Sequence, residues 1–215
     1  MKTVLTFLSA FISLTVSSQR STLTVTYGNQ LYDKPLLGQV NTLDSFQFGM
    51  PVQYVGFGAN GHFVMNDKVN FGGHMIVAKY LTKYVDVNDS TIAKLSGSSF
   101  GFGYGFDCLS MAENIDFILS VGANIGRMKI TQAVNPYTGE KIGLSVKNMF
   151  ISPKASAMLI LYVGNTSLSL NAEYAYDVSA TGWKSKIFGR DESGIAVPAF
   201  QQSGLGFSVA LGYAF

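Results

Sequence analysis

Residues 203–215 read SGLGFSVALGYAF, and this stretch decides the fold. Large apolar side chains take every second position: Leu205, Phe207, Val209, Leu211, Tyr213 and Phe215. The positions between them hold only Gly, Ser and Ala, and no residue in the stretch is charged. A β-strand turns successive side chains to opposite faces, so one face of this strand is bulky and apolar and the other is small. Such a strand suits a sheet with lipid on one side and a crowded interior on the other.

The composition of the whole chain supports the same interpretation. Charged residues make up 13% of its 215 residues, about half the usual share in soluble domains. Hydrophobic residues make up 47%, yet beyond the amino terminus no run approaches the roughly 20 apolar residues of a spanning helix. Low charge without such a helix is typical of a membrane barrel, whose apolar residues occupy alternate positions. The net charge of +2 gives no support to nucleic-acid binding, and we expect no nucleic-acid partner.

The first residues predict a secretory signal peptide. A lysine near the start precedes a short apolar stretch, and small residues suit cleavage before Gln19. We therefore expect residues 1–18 to be a cleaved signal and residues 19–215 to form one barrel domain. A first transmembrane helix is the alternative, which the shortness of the stretch and its Ser and Thr content disfavour.

Eight stretches alternate in hydrophobicity with the period of two that strands require. They are residues 22–28, 51–65, 70–83, 99–106, 115–130, 148–163, 167–178 and 203–215. Short links alternate with mostly longer ones, as in outer-membrane barrels. A sheet in lipid cannot leave edge amides unpaired, so we predict an all-β fold: a closed antiparallel up-and-down transmembrane β-barrel. Eight strands is the preferred count, and ten is the alternative if a loop hides a hairpin.

The interior of an eight-strand barrel is only about wide enough for side chains, so we expect a narrow, polar lumen rather than a wide pore. If the second and third stretches close through residues 67–69, His62 and His74 face each other in this lumen. Asp107 or Asp116 would approach from nearby inner positions. We interpret these residues as an interior hydrogen-bond network. A metal site or a catalytic role is the alternative, because imidazole and carboxylate groups are common metal ligands.

A second set of inward charges lies on the sixth and seventh stretches. A two-residue turn at Asn165-Thr166 would pair Lys154 directly with Asp177 and leave Glu173 diagonally near. Buried charges must be paired or neutralised. We therefore predict a structural ion pair in the lumen, with a gated proton or ion path as the alternative.

The predicted outer loops carry apolar and basic residues. The first contains Tyr32, Leu36 and Leu37, and the last contains Trp183 and Phe188. Exposed apolar loops often mark a partner surface, although the two loops can instead fold over the barrel mouth and bury each other. Basic residues gather near the outer rim and in the last loop: Lys79, Lys83, Lys94, Arg127, Lys129, Lys147, Lys184, Lys186 and Arg190. Phosphates of lipopolysaccharide are natural counter-ions for such residues, and ordinary solvated charge is the alternative.

The alternation, the link lengths and the terminal aromatics resemble the small eight-stranded β-barrels of bacterial outer membranes, such as OmpA-like transmembrane domains and the small barrels of Bacteroidota. Leu211, Tyr213 and Phe215 resemble the terminal assembly signal of such barrels, which implies recognition by the barrel-assembly machinery. The resemblance also implies a multi-pass barrel in the outer membrane of a Gram-negative cell, in contact with outer-membrane lipid and lipopolysaccharide.

The sequence says less about activity than about architecture. We expect a non-enzymatic barrel that acts as a structural or accessory binding subunit of an envelope protein complex, through its outer loops or its lipid-facing wall. We expect neither catalytic residues nor a cofactor. A lipid A- or phospholipid-modifying enzyme is one alternative, which would need a nucleophile or base at the membrane boundary. A narrow ion-conducting barrel is the other.

Overall fold

The computed structural model describes residues 20–33, 36–39, 45–66, 69–88, 91–108, 114–134, 145–179, 184–187, 190–191 and 202–215. The predicted signal peptide, residues 1–18, lies outside the described residues. None of the described segments forms a helix that is long and apolar enough to cross a membrane.

The described residues form strands throughout. In chain order these are β1 (Arg20–Tyr32), β2 (Leu36–Gln39), β3 (Ser45–Phe48), β4 (Val52–Asn66), β5 (Val69–Asn88), β6 (Thr91–Asp107), β7 (Ile115–Val134), β8 (Ser145–Val163), β9 (Thr166–Ala175), β10 (Lys184–Ile187), β11 (Arg190–Asp191) and β12 (Gly204–Ala214). The short pair β2 and β3 forms a hairpin of its own, and β10 with β11 adds to the outer end of β8.

The eight remaining strands close into one antiparallel barrel. Each pairs with its neighbours in the order β1, β4, β5, β6, β7, β8, β9 and β12. The ring is complete because β1 pairs with β4 on one side and with β12 on the other. The predicted fold class is confirmed. The hidden hairpin that a ten-strand barrel required is present as β2 and β3, but it pairs only with itself in the described residues.

Several strands are longer than the alternation predicted. β5 continues to Asn88 and β6 begins at Thr91, whereas the predicted stretches end at residue 83 and resume at residue 99. The register shifts between Tyr80 and Lys83, and an irregularity of this kind changes which face the following side chains occupy. The alternation of apolar and polar residues is therefore interrupted at this point, although β5 itself continues.

The outer wall is apolar along most of its height. Phe57, Val121 and Leu211 are 65%, 71% and 68% exposed, all on outward positions. On β7 the apolar outward positions run from Phe117 to Ile125, the roughly 9–11 residues that a tilted strand needs to cross a bilayer. The wall is that of a membrane-spanning barrel.

The interior has three layers. The outer layer is an apolar cluster of Tyr32, Phe48, Val52, Tyr54, Ala78, Tyr80, Ala93, Leu95, Met128, Ile130 and Phe150. The middle layer is polar and contains Lys154 and Glu173. The inner layer combines the buried carboxylates of Asp107 and Asp116 with a second apolar cluster. That cluster contains Ile118, Met158, Ile160, Tyr162 and Ala214. The expectation of a mainly polar lumen therefore holds for the middle layer, whereas the outer layer is apolar and the inner layer is mixed.

Candidate functional site

The middle layer is built around a buried ion pair. Lys154 of β8 and Glu173 of β9 approach to 2.8 Å between Nζ and Oε2, and their side chains are 2% and 7% exposed. Asn124 of β7 donates from Nδ2 to the other carboxylate oxygen of Glu173 at 2.9 Å. All three residues take inward positions on consecutive strands, so the sheet register brings them together. The inward alternation places Asn124 in the lumen, but no sequence pattern links it to Glu173.

A small cavity lies beside this ion pair, and His74 of β5 lines it. The cavity has a volume of about 60 Å³ and is also lined by Asn60, Asn124, Lys154 and Glu173. Both ring nitrogens of His74 are buried, and neither donates to or accepts from another described residue in a hydrogen bond. A polar cavity of this size has room for a few water molecules, which can hydrogen-bond such groups. The middle layer thus contains a small polar chamber, which apolar side chains such as Ile76 and Met158 also line.

His62, Asp107 and Asp116 form a second group at the inner end. The Nε2 of His62 lies 3.2 Å from Oδ2 of Asp107, and its Nδ1 lies 4.0 Å from Oδ1 of Asp116. Tyr162 donates its hydroxyl to Asp116 at 2.7 Å. The guanidinium of Arg20 lies over the Tyr162 ring, 4.4 Å from its centroid. The histidine therefore bridges two carboxylates that come from different strands.

The inner group has the composition of a metal site. One ligand atom from each of His62, Asp107 and Asp116 lies within 4.8 Å of the others, and these donor types bind divalent cations. The positive Arg20 beside them offsets part of the carboxylate charge and disfavours a further cation. The group joins several strands at the inner end through close contacts of His62 with two carboxylates and the hydrogen bond from Tyr162 to Asp116.

The predicted pairing of His62 with His74 is wrong. His62 pairs with Gly72, and His74 pairs with Asn60. Two shifts of one residue add up: Asn66 pairs with Val69 where the predicted closure required Asn70, and the register shifts again between Val64 and Asn66. The two histidines are therefore offset along the lumen, one in the inner group and the other in the middle layer.

The predicted contact between Lys154 and Asp177 is also wrong. The turn between β8 and β9 lies one residue earlier than expected, so Lys154 pairs with Ala175. Asp177 follows β9 and accepts hydrogen bonds from the backbone amides of Ser179 at 2.9 Å and Gln202 at 3.0 Å. It joins the two described ends of the last outer loop and takes no part in the lumen ion pair.

Tyr32 does not belong to an exposed loop, contrary to the prediction. It is the last residue of β1, is 8% exposed and packs in the outer apolar layer. Phe48 of β3, which is 1% exposed, joins the same layer. Lys83 of β5 donates from Nζ to the carbonyl oxygen of Gly49. The end of the first outer loop thus folds over the mouth, as the alternative to a partner surface supposed.

The other predicted loop residues give less information. Leu36 and Leu37 lie in β2, with Phe48 and Gln47 as their backbone partners. Trp183 and Phe188 lie outside the described residues.

In the terminal strand, Leu211, Tyr213 and Phe215 face outward with exposures of 68%, 56% and 62%. Their recognition by the assembly machinery stays a prediction.

The comparisons with known proteins concern the fold. No family model and no curated protein sequence matches the chain. Among solved structures, it is similar to Ail, the attachment invasion locus protein of Yersinia pestis, in complex with the heparin analogue sucrose octasulfate. The TM-score is 0.51 with 14% identity over 92% of this chain and 99% of that chain. The translocator domain of the autotransporter NalP from Neisseria meningitidis gives 0.41, with 11% identity over 99% and 96%.

At these identities the likeness to Ail extends to the fold alone. The closed topology and the apolar wall agree with it independently. The chain therefore has the closed eight-stranded fold of outer-membrane β-barrels.

Proposed function

We propose that this barrel is a non-enzymatic accessory subunit of an envelope assembly and binds a protein partner at its outer end. The observation that carries the proposal is the outer extension, the part of four strands that continues beyond the apolar wall. It comprises residues 79–88 of β5, 91–98 of β6, 127–134 of β7 and 145–150 of β8. At about 3.3 Å per residue and a tilt near 45°, these segments rise roughly 20 Å above the hydrocarbon.

One edge of the outer extension is open. Beyond Tyr80, β5 has no ladder partner on the side of β4 among the described residues. β3 contacts β5 there but pairs only with β2. An unpaired strand edge is a template on which another chain can add a strand.

The exposed face of β5 in the outer extension carries an aromatic side chain of a kind common in protein–protein interfaces. Tyr84 is 66% exposed, and the Lys94 ammonium lies 5.8 Å from the centroid of its ring. Aromatic side chains are enriched among the residues that contribute most to protein–protein binding. The open edge and this aromatic therefore favour a protein partner.

The interior supports a binding role rather than transport. The apolar outer layer and the apolar cluster of the inner layer lie on either side of the polar chamber. Moving an ion through such layers costs far more than leaving it in water. His62 and His74 both face the lumen and not the lipid, which gives no support to chemistry on membrane lipids.

In-cell photo-crosslinking tests the proposal. A photoreactive residue in place of Tyr84 is expected to give a discrete protein adduct. The matched control is Tyr104, which is 52% exposed on the apolar wall and is expected to contact lipid only. Failure of Tyr84 to crosslink to protein, together with gentle-detergent purification that returns the chain alone, would refute a stable partner.

The enzyme alternative has its own test. Mass spectra of lipid A and phospholipids from cells with and without the gene are expected to be the same. Loss or gain of an acyl chain or a phosphate in step with the gene would replace the accessory role by a lipid-modifying activity.

A further inference from the structure

On the outer wall, basic side chains follow the apolar ones within two rows on three of four adjacent strands. The register aligns Val77, Phe100, Ile125 and Ile151 as one outward row of cross-strand neighbours. The next outward row contains Lys79, Ser98, Arg127 and Met149. The row above it contains Ser96, Lys129 and Lys147. The upper hydrocarbon boundary therefore coincides with a band of cations.

These rows enclose a groove on the outside of the barrel. The floor is the low backbone of β6 from Ser96 to Ser98, where hydroxyl groups stand in place of large side chains. The cations Lys79, Arg127, Lys129 and Lys147 line the upper part. Val25, Val55, Phe57 and Val77 line the lower part. The groove has a volume of about 730 Å³, so it has space for a headgroup and the start of an acyl chain.

The cations of the groove have no carboxylate partner within the described part of the chain. Lys129 and Lys147 are direct cross-strand neighbours, and Lys184 of β10 follows Lys147 in the same register. Like charges directly opposite each other destabilise a sheet, so an anion beside Lys129 and Lys147 relieves their repulsion.

We propose that the groove binds a phosphorylated lipid of the lipopolysaccharide class in the outer leaflet. A phosphate lies over Ser96 and Ser98 among the four cations, where charge-assisted hydrogen bonds are strongest. An acyl chain descends along Val55, Phe57 and Val77 into the hydrocarbon. The position of the cations at the boundary selects a membrane lipid over a soluble anion, because only a lipid brings phosphate and hydrocarbon together at this height. This site is independent of the protein partner proposed for the outer extension.

Native mass spectrometry of the purified full chain in detergent tests the site. The probes are bisphosphorylated lipid A, the same lipid without phosphates, and phosphatidylglycerol. We expect bisphosphorylated lipid A to bind at least about tenfold more tightly than either other lipid, since two or more charge-assisted contacts are lost with them. The preference is expected to weaken as salt is raised. Equal binding of the three lipids would overturn the proposal.

Two variants locate the site. Arg127→Gln with Lys129→Gln is expected to reduce lipid A binding at least about tenfold. Lys83→Gln with Lys94→Gln removes equal charge from two lysines that do not line the groove, and is expected to leave binding within about twofold. Ser96→Leu with Ser98→Leu keeps every cation but fills the floor, and is expected to abolish the preference for phosphate. Wild-type binding by both groove variants would show that the lipid lies elsewhere. The Tyr84 crosslink is expected to persist in both, which separates this site from the protein partner.

Discussion

Lys154 and Glu173 are tolerated in the barrel interior only as a pair. Both side chains are almost fully buried, and Asn124 satisfies the second carboxylate oxygen. Removing two charges from water costs about as much free energy as their attraction returns, so the pair contributes little net stability. Removing one partner alone leaves a buried charge without compensation.

A double substitution separates the cost of one unpaired buried charge from the net contribution of the pair to stability. Lys154→Met is expected to lower the free energy of unfolding by about 3–5 kcal/mol, because it leaves the carboxylate of Glu173 uncompensated. Lys154→Met combined with Glu173→Gln is expected to recover most of the loss, since the amide keeps a hydrogen bond to Asn124. Urea titration in phospholipid vesicles, followed by circular dichroism, measures both. A single variant as stable as the wild type would contradict this account, and Lys94→Met serves as an exposed control.

At the scale of strands, the alternation predicted the membrane-spanning parts and missed the rest. In the hydrocarbon, apolar side chains point outward, as from Phe117 to Ile125 of β7. Above it, the outward positions hold cations and the inward positions hold Met128 and Ile130. The apolar positions therefore change face within one continuous strand. A search for a single alternation misses residues beyond such a change, as at 91–98 of β6, where the inward Leu95 is buried and no strand was predicted.

Register errors account for the incorrect site contacts. Each histidine and each charged residue of the lumen was placed on the correct face, because the face depends only on parity. Partners across a hairpin depend on the turn, and a shift of the turn by one residue moves every partner by two. The turn between β8 and β9 is Gly164-Asn165, and Gly164 has a φ of +59°. A Gly-Asn pair between two alternating runs indicates this two-residue turn, so the sequence did carry the signal.

The backbone at this turn gives a prediction for the hairpin. A side chain at position 164 would meet nothing within 4 Å, so any effect of substitution comes from the positive φ alone. Gly164→Ala is expected to lower the free energy of unfolding by about 1–2 kcal/mol. Gly164→Asn, which tolerates this conformation, is expected to lose clearly less. Equal losses in urea titrations of the two variants would show that the turn is not held in this conformation.

At the scale of the whole molecule, the layered interior predicts a closed barrel. The purified protein in planar bilayers is expected to give no conductance steps above background, because apolar layers lie on either side of the polar chamber. Leu95→Ser, Met128→Ser and Ile118→Ser together remove bulk from both layers and are expected to produce steps. Steps from the wild-type protein would revive the ion-conducting alternative.

The seam between β1 and β12 sets a condition on how the molecule is made. These strands pair from Thr22 with Ala214 to Tyr32 with Gly204, although they are the first and the last strands of the ring. Before they meet, each presents a row of bare amides and carbonyls, which hydrocarbon cannot accommodate. The strands that lie between β1 and β12 in the chain can pair early as hairpins. The pairing of β1 with β12 joins the most distant parts of the sequence and is intrinsically slow. Entry into the bilayer and closure of the ring must therefore be a single concerted event, or the open seam must be sheltered until its two sides are joined.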